Sequence, residues 1–504
     1  MYNLEFKKII KDNFDIQGDY KRIFLLAFGL ILLFTFPLII SDHYYSDDLV
    51  HSMNGETGWV SNGRPLSEIL FKILMAGGLL SDISPMPQLL AAAILALSIT
   101  FLTIKTNYNK KFLSVISFLP VAISPYYLEN WSYKYDSLTM SCAVFFSILP
   151  LITKASKNSL KRISLSAMLL FISMNFYQAA LNLFVSLSVL FFLINIYKEN
   201  NKEALPTLLY NAVAYLIANF LYILIIKKYV MYGEYNTIHG AIATGTVSFI
   251  KETILRTYAL LNSIFLSAFK GNLWLYFSPF LITSLLMFVE LIKKCLSNIK
   301  NGSGSIWHLL ITIASPFIIY VSIFGPMLLL VNPITSARTL IGASGFLCSL
   351  FVLSNMLLRK NKTAYWVIAP VAGLFLLAYS LFNAQKTTEK LEVALITRIV
   401  STFDAFNMSD VENVSIIGDA PVSYQAKLAE INYPIIALLN KNNIGQDILW
   451  GNVQLNQYYF NKNYLSSSEG KDEICSMKKV MTNDIYTIYR KNKFSVIDFS
   501  HTKC

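Results

Sequence analysis

Apolar residues along this chain come in long runs separated by short polar stretches. A bilayer-crossing helix needs about 20 such residues. Runs of that kind stand at Ile23–Ile40, Pro87–Ile104, Phe112–Leu128, Ser137–Thr153, Thr207–Ile226, Leu273–Ile292, Ile306–Val331, Leu340–Leu358 and Ala364–Leu381. One more, Ile163–Tyr197, is too long for a single helix and is broken at Asn175–Gln178, so it reads as two helices with a tight turn at Tyr177. The pattern predicts an all-α polytopic membrane protein with about eleven transmembrane helices.

The polar stretches divide into two kinds. One kind is basic: Lys7, Lys8 and Lys11 before the first run, then Lys105, Lys110 and Lys111, Lys154, Lys157 and Lys161, Lys293 and Lys294, and Arg359 and Lys360. The other holds the acids, Asp42–Asp48 and Glu129–Asp136. Basic segments stay on the cytoplasmic side, which predicts a membrane protein with its N-terminus inside and its C-terminus outside. The segment before the first run reads as a short helix along the membrane, and nothing in it resembles a cleavable leader. Outer loops are expected at residues 41–86, 129–136 and 227–271. Within the first, "RPLSEILFKILMAGG" gathers Leu66, Ile69, Leu70, Ile73 and Leu74 on one helical face, as a helix lying in the interface does. Within the third, "SFIKETILRTYALLNSIFLSAF" is also amphipathic and reads as a surface helix or a re-entrant pair.

After Leu381 the patterning becomes that of a soluble domain. "EKLEVALITRIVSTFDAF" reads as an amphipathic helix, "VSIIGDAP" as a buried strand ending in a turn, and "DIYTIYRKNKFSVIDF" as a hairpin. Two domains follow: a multi-span membrane part, 1–382, and a small α/β domain, 383–504, outside the membrane. Its two cysteines, Cys475 and Cys504, are free to bridge in an oxidising compartment.

Composition agrees and narrows the function. Of 504 residues, 55% are hydrophobic and only 14% charged, a membrane composition. The net charge of +12 forms no single patch, so it serves orientation and anionic lipid rather than nucleic acid. Transporters keep ionisable groups at mid-membrane, whereas here the distinctive polar residues collect at the outer ends of spans.

Those residues make a candidate site. Asp47 and Asp48 are adjacent on a Gly-rich loop and offer a base. Arg64 and Arg338 can donate in pairs to a phosphate, with Lys134 as a third cation. Trp59 and the tyrosines can stack on a sugar or anchor at headgroups, and Glu129, Asp136, Tyr177 and Gln178 supply further polar contacts. Trp131 reads as an interface anchor. His43, His51 and His239 lack metal-ligand spacing, and no cofactor or metal is required, although two neighbouring aspartates leave room for a divalent ion.

"YYSDDLVHSM…GWVSNGRPLSEIL" after the first span, with "YKYDSLTM" in the second outer loop, resembles the serotype-converting O-antigen glucosyltransferases, the type II Gtr proteins, of the GT-C class. The resemblance implies an inverting transfer of a sugar, usually glucose, from undecaprenyl phosphate to lipid-linked O-antigen. It makes Asp47 or Asp48 the base, Arg64 and Arg338 the partners of the departing phosphate, Asp136 with Lys134 a positioning pair and Gln178 a glucose ligand. "SART" stands where many such enzymes carry a Pro-Arg pair. Another GT-C transferase acting on lipid A or protein, or a flippase or structural partner in glycan assembly, are the alternatives.

Overall fold

The computed structural model describes residues 20–106, 111–152, 159–358, 362–447 and 449–502. The expected N-terminal surface helix, much of the basic pattern (Lys7, Lys8, Lys11, Lys110, Lys154, Lys157, Arg359, Lys360) and Cys504 lie outside them.

The chain is mainly helical, and the apolar runs fall largely on helices, although Phe112–Leu128 is divided among three short ones, Lys111–Phe118, Pro120–Ile123 and Tyr127–Ser132. Among the described residues, six helices are long and apolar enough to cross a membrane: Tyr20–Ser41, Met86–Thr106, Ala180–Tyr197, Asn201–Lys227, Leu273–Lys300 and Tyr365–Ala405. Lys111–Ile123, Asp136–Ile152, Ile306–Val321 and Gly342–Leu358 are apolar but shorter. The tight turn falls at Tyr177, between helices Ser159–Phe176 and Ala180–Tyr197. Small residues let these helices approach closely. A Cβ on Gly345 would stand 2.3 Å from that of Ser186. Some hydroxyls inside the apolar runs are satisfied by their own helix, as where Thr35 donates to the Ile31 carbonyl at 3.0 Å and Thr100 to that of Ala96 at 2.7 Å, and others cross between helices, as where Ser173 donates to the Ala143 carbonyl at 2.7 Å.

Helix Pro65–Leu74 forms as expected. It turns Ser67 and Phe71 inward, while Ile69 and Ile73 are exposed, the arrangement of a helix with one face toward lipid. The amphipathic stretch of the third loop is one continuous helix, Val247–Ser267, capped by Thr246. Its Arg256 and Thr257 donate to the carbonyls of Val331 and Leu330, which pins the strand of chain leading to Arg338.

The composition boundary at 382/383 falls inside one 38-residue helix, Ile368–Ala405, about 57 Å long at 1.5 Å per residue. Its Leu374, Leu377 and Leu381 belong to the core of the spans, and its Leu395, Ile396, Ile399 and Phe403 to a second core. That second core lies under a five-stranded sheet of order β2-β1-β5-β4-β3. The strands are β1 (Asn413–Ile417), β2 (Asn463–Leu465), β3 (Lys478–Thr482), β4 (Thr487–Lys491) and β5 (Phe494–Asp498). β1 runs parallel to β2 and β5, and β4 is antiparallel to β3 and β5. Period-2 alternation sets the faces: Val414, Ile416, Ile488 and Ile497 meet the long helix, while Ile417, Tyr489 and Val496 pack on the other side. The strand read in "VSIIGDAP" and the hairpin read in "DIYTIYRKNKFSVIDF" are β1 and β4–β5. Cys475 is disulfide-bonded.

Candidate active site

Past the end of its first span the chain turns through Asp42 and Ser46, both at φ 50°, into helix Asp48–Asn54. The two aspartates there part company. Asp48 is fully buried, and its carboxylate accepts from the backbone N–H of Tyr45 (3.2 Å), Lys134 (2.9 Å) and Tyr135 (3.4 Å). Burial pushes its pKa well up and the nearby Asp136 adds to that, against the three backbone donors. Asp48 therefore staples the first loop to the second. Asp47 points the other way, with 38% of its side chain exposed and Arg338 Nη1 3.8 Å from its carboxylate.

Arg338 is held from both ends. Its guanidinium lies 4.8 Å over the Tyr133 ring and donates to the Tyr133 hydroxyl. Its backbone N–H donates to Glu129 at 2.9 Å. Glu129, only 1% exposed, also accepts from Ser336 Oγ (2.6 and 2.7 Å), from Lys441 Nζ (2.8 Å) and from the Tyr45 hydroxyl (3.4 Å). Burial alone would raise the Glu129 pKa, but Lys441, Arg338 and Ser336 outweigh it and hold the carboxyl below its ordinary value. Desolvation opposes the charge of Arg338, and Tyr133, Tyr177, Glu129 and Asp47 around it raise its pKa instead. Tyr45 stands edge-on to Tyr133 with centroids 4.9 Å apart.

The second arginine sits across Tyr177. The Arg64 guanidinium lies 4.5 Å over that ring, and the Tyr177 hydroxyl donates to the Arg338 carbonyl at 3.3 Å. Arg64 Nη1 pairs with Asp136 at 3.5 Å, and Asp136 also accepts from Trp59 Nε1 at 2.9 Å. The buried Arg64 Nε has no hydrogen-bond partner among the described residues, which leaves a donor for an anion. Behind Arg64, Gln178 Nε2 donates to the Tyr222 hydroxyl (2.5 Å) and the Asn62 carbonyl (3.1 Å), and Tyr222 donates to the Gly63 carbonyl (2.9 Å). Gly63 has φ +71°, and a Cβ there would lie 2.3 Å from the Tyr222 hydroxyl, so only glycine fits. Tyr222 opens the π-helical turn Tyr222–Lys227.

Asp47, Glu129, Arg338, Tyr177, Arg64 and Asp136 thus form one continuous cluster. Several expected residues stand apart from it. Lys134 does not join the arginines: its buried ammonium pairs with Asp42 (2.8 Å) and Asp82 (3.1 Å), 3.9 Å from the Tyr44 ring centroid, and so it diverges from Asp136 as well. Trp59 is neither a stacking platform nor a headgroup anchor, since it is 2% exposed and packed on Phe71. Trp131 is likewise buried and donates to the Ala122 carbonyl at 2.7 Å, not at an interface. The amide nitrogen of Gln178 is committed to protein. Tyr45, Tyr133, Tyr222, Ser336 and Lys441 complete the cluster without having been singled out from the sequence. Tyr45 and Tyr133 lie in polar motifs, but Tyr222 lies inside an apolar run and Lys441 in another domain, with no local signal.

Among the described residues no three His, Cys, Asp or Glu side chains converge on a common point as metal ligands do. A cleft of about 600 Å³ between Tyr197, Glu199 and Lys294 lies at the far end of helix Ala180–Tyr197 from this cluster, and its lysines are paired with Glu199 and Glu290.

Residues 36–354, which span every charged member of the cluster except Lys441, match the family model described as Glucosyl transferase GtrII. The chain is 29% identical over 489 residues to a Salmonella phage P22 protein described as an uncharacterized 55.3 kDa protein in the gtrB 5' region, covering 95% of this chain and 99% of that one. No solved structure matches. With the family model covering well over half of the chain, from the outer end of the first span to near the end of helix Gly342–Leu358, this membrane protein belongs to the GtrII glucosyl transferase family.

Proposed function

We propose that the chain transfers glucose from undecaprenyl phosphate glucose to a hydroxyl of O-antigen, on the periplasmic face of the bacterial inner membrane, with inversion at the anomeric carbon. The observation that carries this reading is the divergence of the two aspartates: Asp47 offers a half-open carboxylate beside Arg338, while Asp48 is buried and bound to backbone. Asp47 takes the proton of the acceptor hydroxyl, the oxygen bonds to the glucose C1, and the C1–O bond to phosphate breaks in the same displacement. The leaving group is undecaprenyl phosphate: Arg338 takes the charge that develops on it, and Arg64, across Tyr177, holds the phosphate of the bound donor. Arg338 releases Asp47 as it turns to the phosphate, so donor binding frees the base. Asp136 orients Arg64, and Asp48 fixes the loop that aims Asp47. The acids of the cluster belong to the segments that lack the basic bias, which supports the periplasmic side.

The test is transfer of labelled glucose from synthetic undecaprenyl phosphate glucose to purified O-antigen by the full-length protein in detergent. Wild type and Asp48→Asn that remains folded are expected to transfer, and Asp47→Asn is not. Full activity in Asp47→Asn would remove the base from this reading, and no transfer by wild type would remove the donor.

A further inference from the structure

Resting on that reading, we infer that Lys441, carried by the C-terminal domain, is a positioning residue of the transfer site: by pairing with Glu129 it keeps that carboxylate available to hold Ser336 and the Arg338 backbone, and so keeps the Arg338 guanidinium beside Asp47.

The geometry around Lys441 supports this on both sides. Its loop is locked to the long helix Ile368–Ala405 at each shoulder. Before it, Gln385 donates to the Leu439 carbonyl (3.1 Å) and Asn440 to Thr388 Oγ1 (3.1 Å). After it, Glu392, 1% exposed, accepts from the Asn443 N–H (2.6 Å), from Asn443 Nδ2 (3.1 Å) and from Gln454 (3.4 Å). A buried carboxylate that takes two donors from Asn443 and a third from the helix Leu449–Asn456 that follows fixes this part of the chain strongly. The Lys441 ammonium is thereby presented to Glu129 at 2.8 Å and stands 5.3 Å from the Tyr45 ring centroid.

Removing Lys441 would leave Glu129 facing the Arg338 backbone N–H, Ser336, Tyr45, Tyr133 and Tyr177, with the Arg338 guanidinium already engaged by Tyr133 and Asp47. A carboxylate buried to that extent with no free cation takes up a proton at higher pH. Once protonated it accepts more weakly, and the Ser336–Arg338 segment loses its anchor. Lys441 lies beyond residues 36–354, so this contribution comes from outside the part of the chain that the family model matches.

The experiment uses the full-length protein, the synthetic donor and purified O-antigen. Lys441→Met is expected to lower kcat tenfold or more with little change in KM for acceptor, and to move the acid limb of the pH–rate profile upward. Lys441→Arg restores most of the rate, and Lys441→Met/Glu129→Gln brings the acid limb back down. A lower thermal midpoint with the pH profile unmoved would mean that Lys441 only fastens the domain, which overturns the inference. An activity-independent arm separates it from the donor assignment. At neutral pH, infrared difference spectra of Lys441→Met against wild type should show a protonated-carboxyl band that Lys441→Met/Glu129→Gln lacks. Absence of that band overturns the inference even where transfer is seen, and its presence upholds the inference even where wild type does not use this donor. Should Lys441→Met fail to fold, Lys441→Gln carries the same readouts.

Discussion

The two ends of the cluster are built differently although each centres on an arginine beside a carboxylate. At the Arg338 end, four separate segments converge: the first loop (Tyr45, Asp47), the buried helix Tyr127–Ser132 with Tyr133, the Ser336–Arg338 turn and Lys441. Charges there are balanced in pairs, and one acid, Asp47, is open. At the Arg64 end the partners are an indole, an aromatic face and one buried acid, and a guanidinium nitrogen has no partner among the described residues. On the proposed reading, proton transfer and charge compensation belong to the first end and donor binding to the second.

The sharpest test of that division is Asp47→Asn, expected to reduce kcat by about 10³-fold, within the range for loss of a general base, with the thermal midpoint unchanged. A comparable loss from Asp136→Asn would erase the distinction. Next come the arginines. Arg338→Lys keeps charge but loses the planar fork, and kcat should fall about 100-fold. Arg64→Lys should instead raise KM for the donor about tenfold with kcat nearly unchanged. Steady-state kinetics on both variants decides, and the same parameter moving in both would break the comparison.

A smaller effect concerns stability. Asp48→Asn weakens three hydrogen bonds to a buried carboxylate and should cost about 2 kcal/mol, read as a lower unfolding midpoint, with the folded fraction still active. The smallest effect is on pH. Asp48 has a raised pKa in the fold, so the folded state binds its proton more readily, and stability rises as pH falls through that raised value. Glu129 has a lowered one, so its contribution is present above the unfolded value and is lost as pH falls through the folded value. Thermal unfolding should therefore pass through a maximum in mildly acid solution. Asp48→Asn removes the rise on its neutral side and Glu129→Gln the fall on its acid side.

Much of this was legible locally. Apolar runs announce helices because a buried backbone must bond to itself, and the turn at Tyr177 and the hairpin β4–β5 followed from interrupted or alternating patterns. The adjacent aspartates, Arg64 and the acidic second loop announced a polar site at span ends. What the pattern missed were roles that depend on direction. Trp59 and Trp131 look like interface anchors in sequence because indole is amphipathic, yet Asp136 and the Ala122 carbonyl give each a buried partner. Lys134 looks like a phosphate ligand until Asp42 and Asp82 are seen to meet it.

The sequence by itself determined that this is a helical membrane protein, where its helices run, that a small sheet follows, and which span ends carry the charged residues, because each of these depends on hydrophobicity over neighbouring positions. Only the tertiary structure decided which of Asp47 and Asp48 is open, that Arg338 and Arg64 share Tyr177, and that Lys441 reaches Glu129. Those facts depend on contacts between residues up to 312 positions apart, and a side chain's partner across such a distance leaves no trace in the period or composition of its own segment.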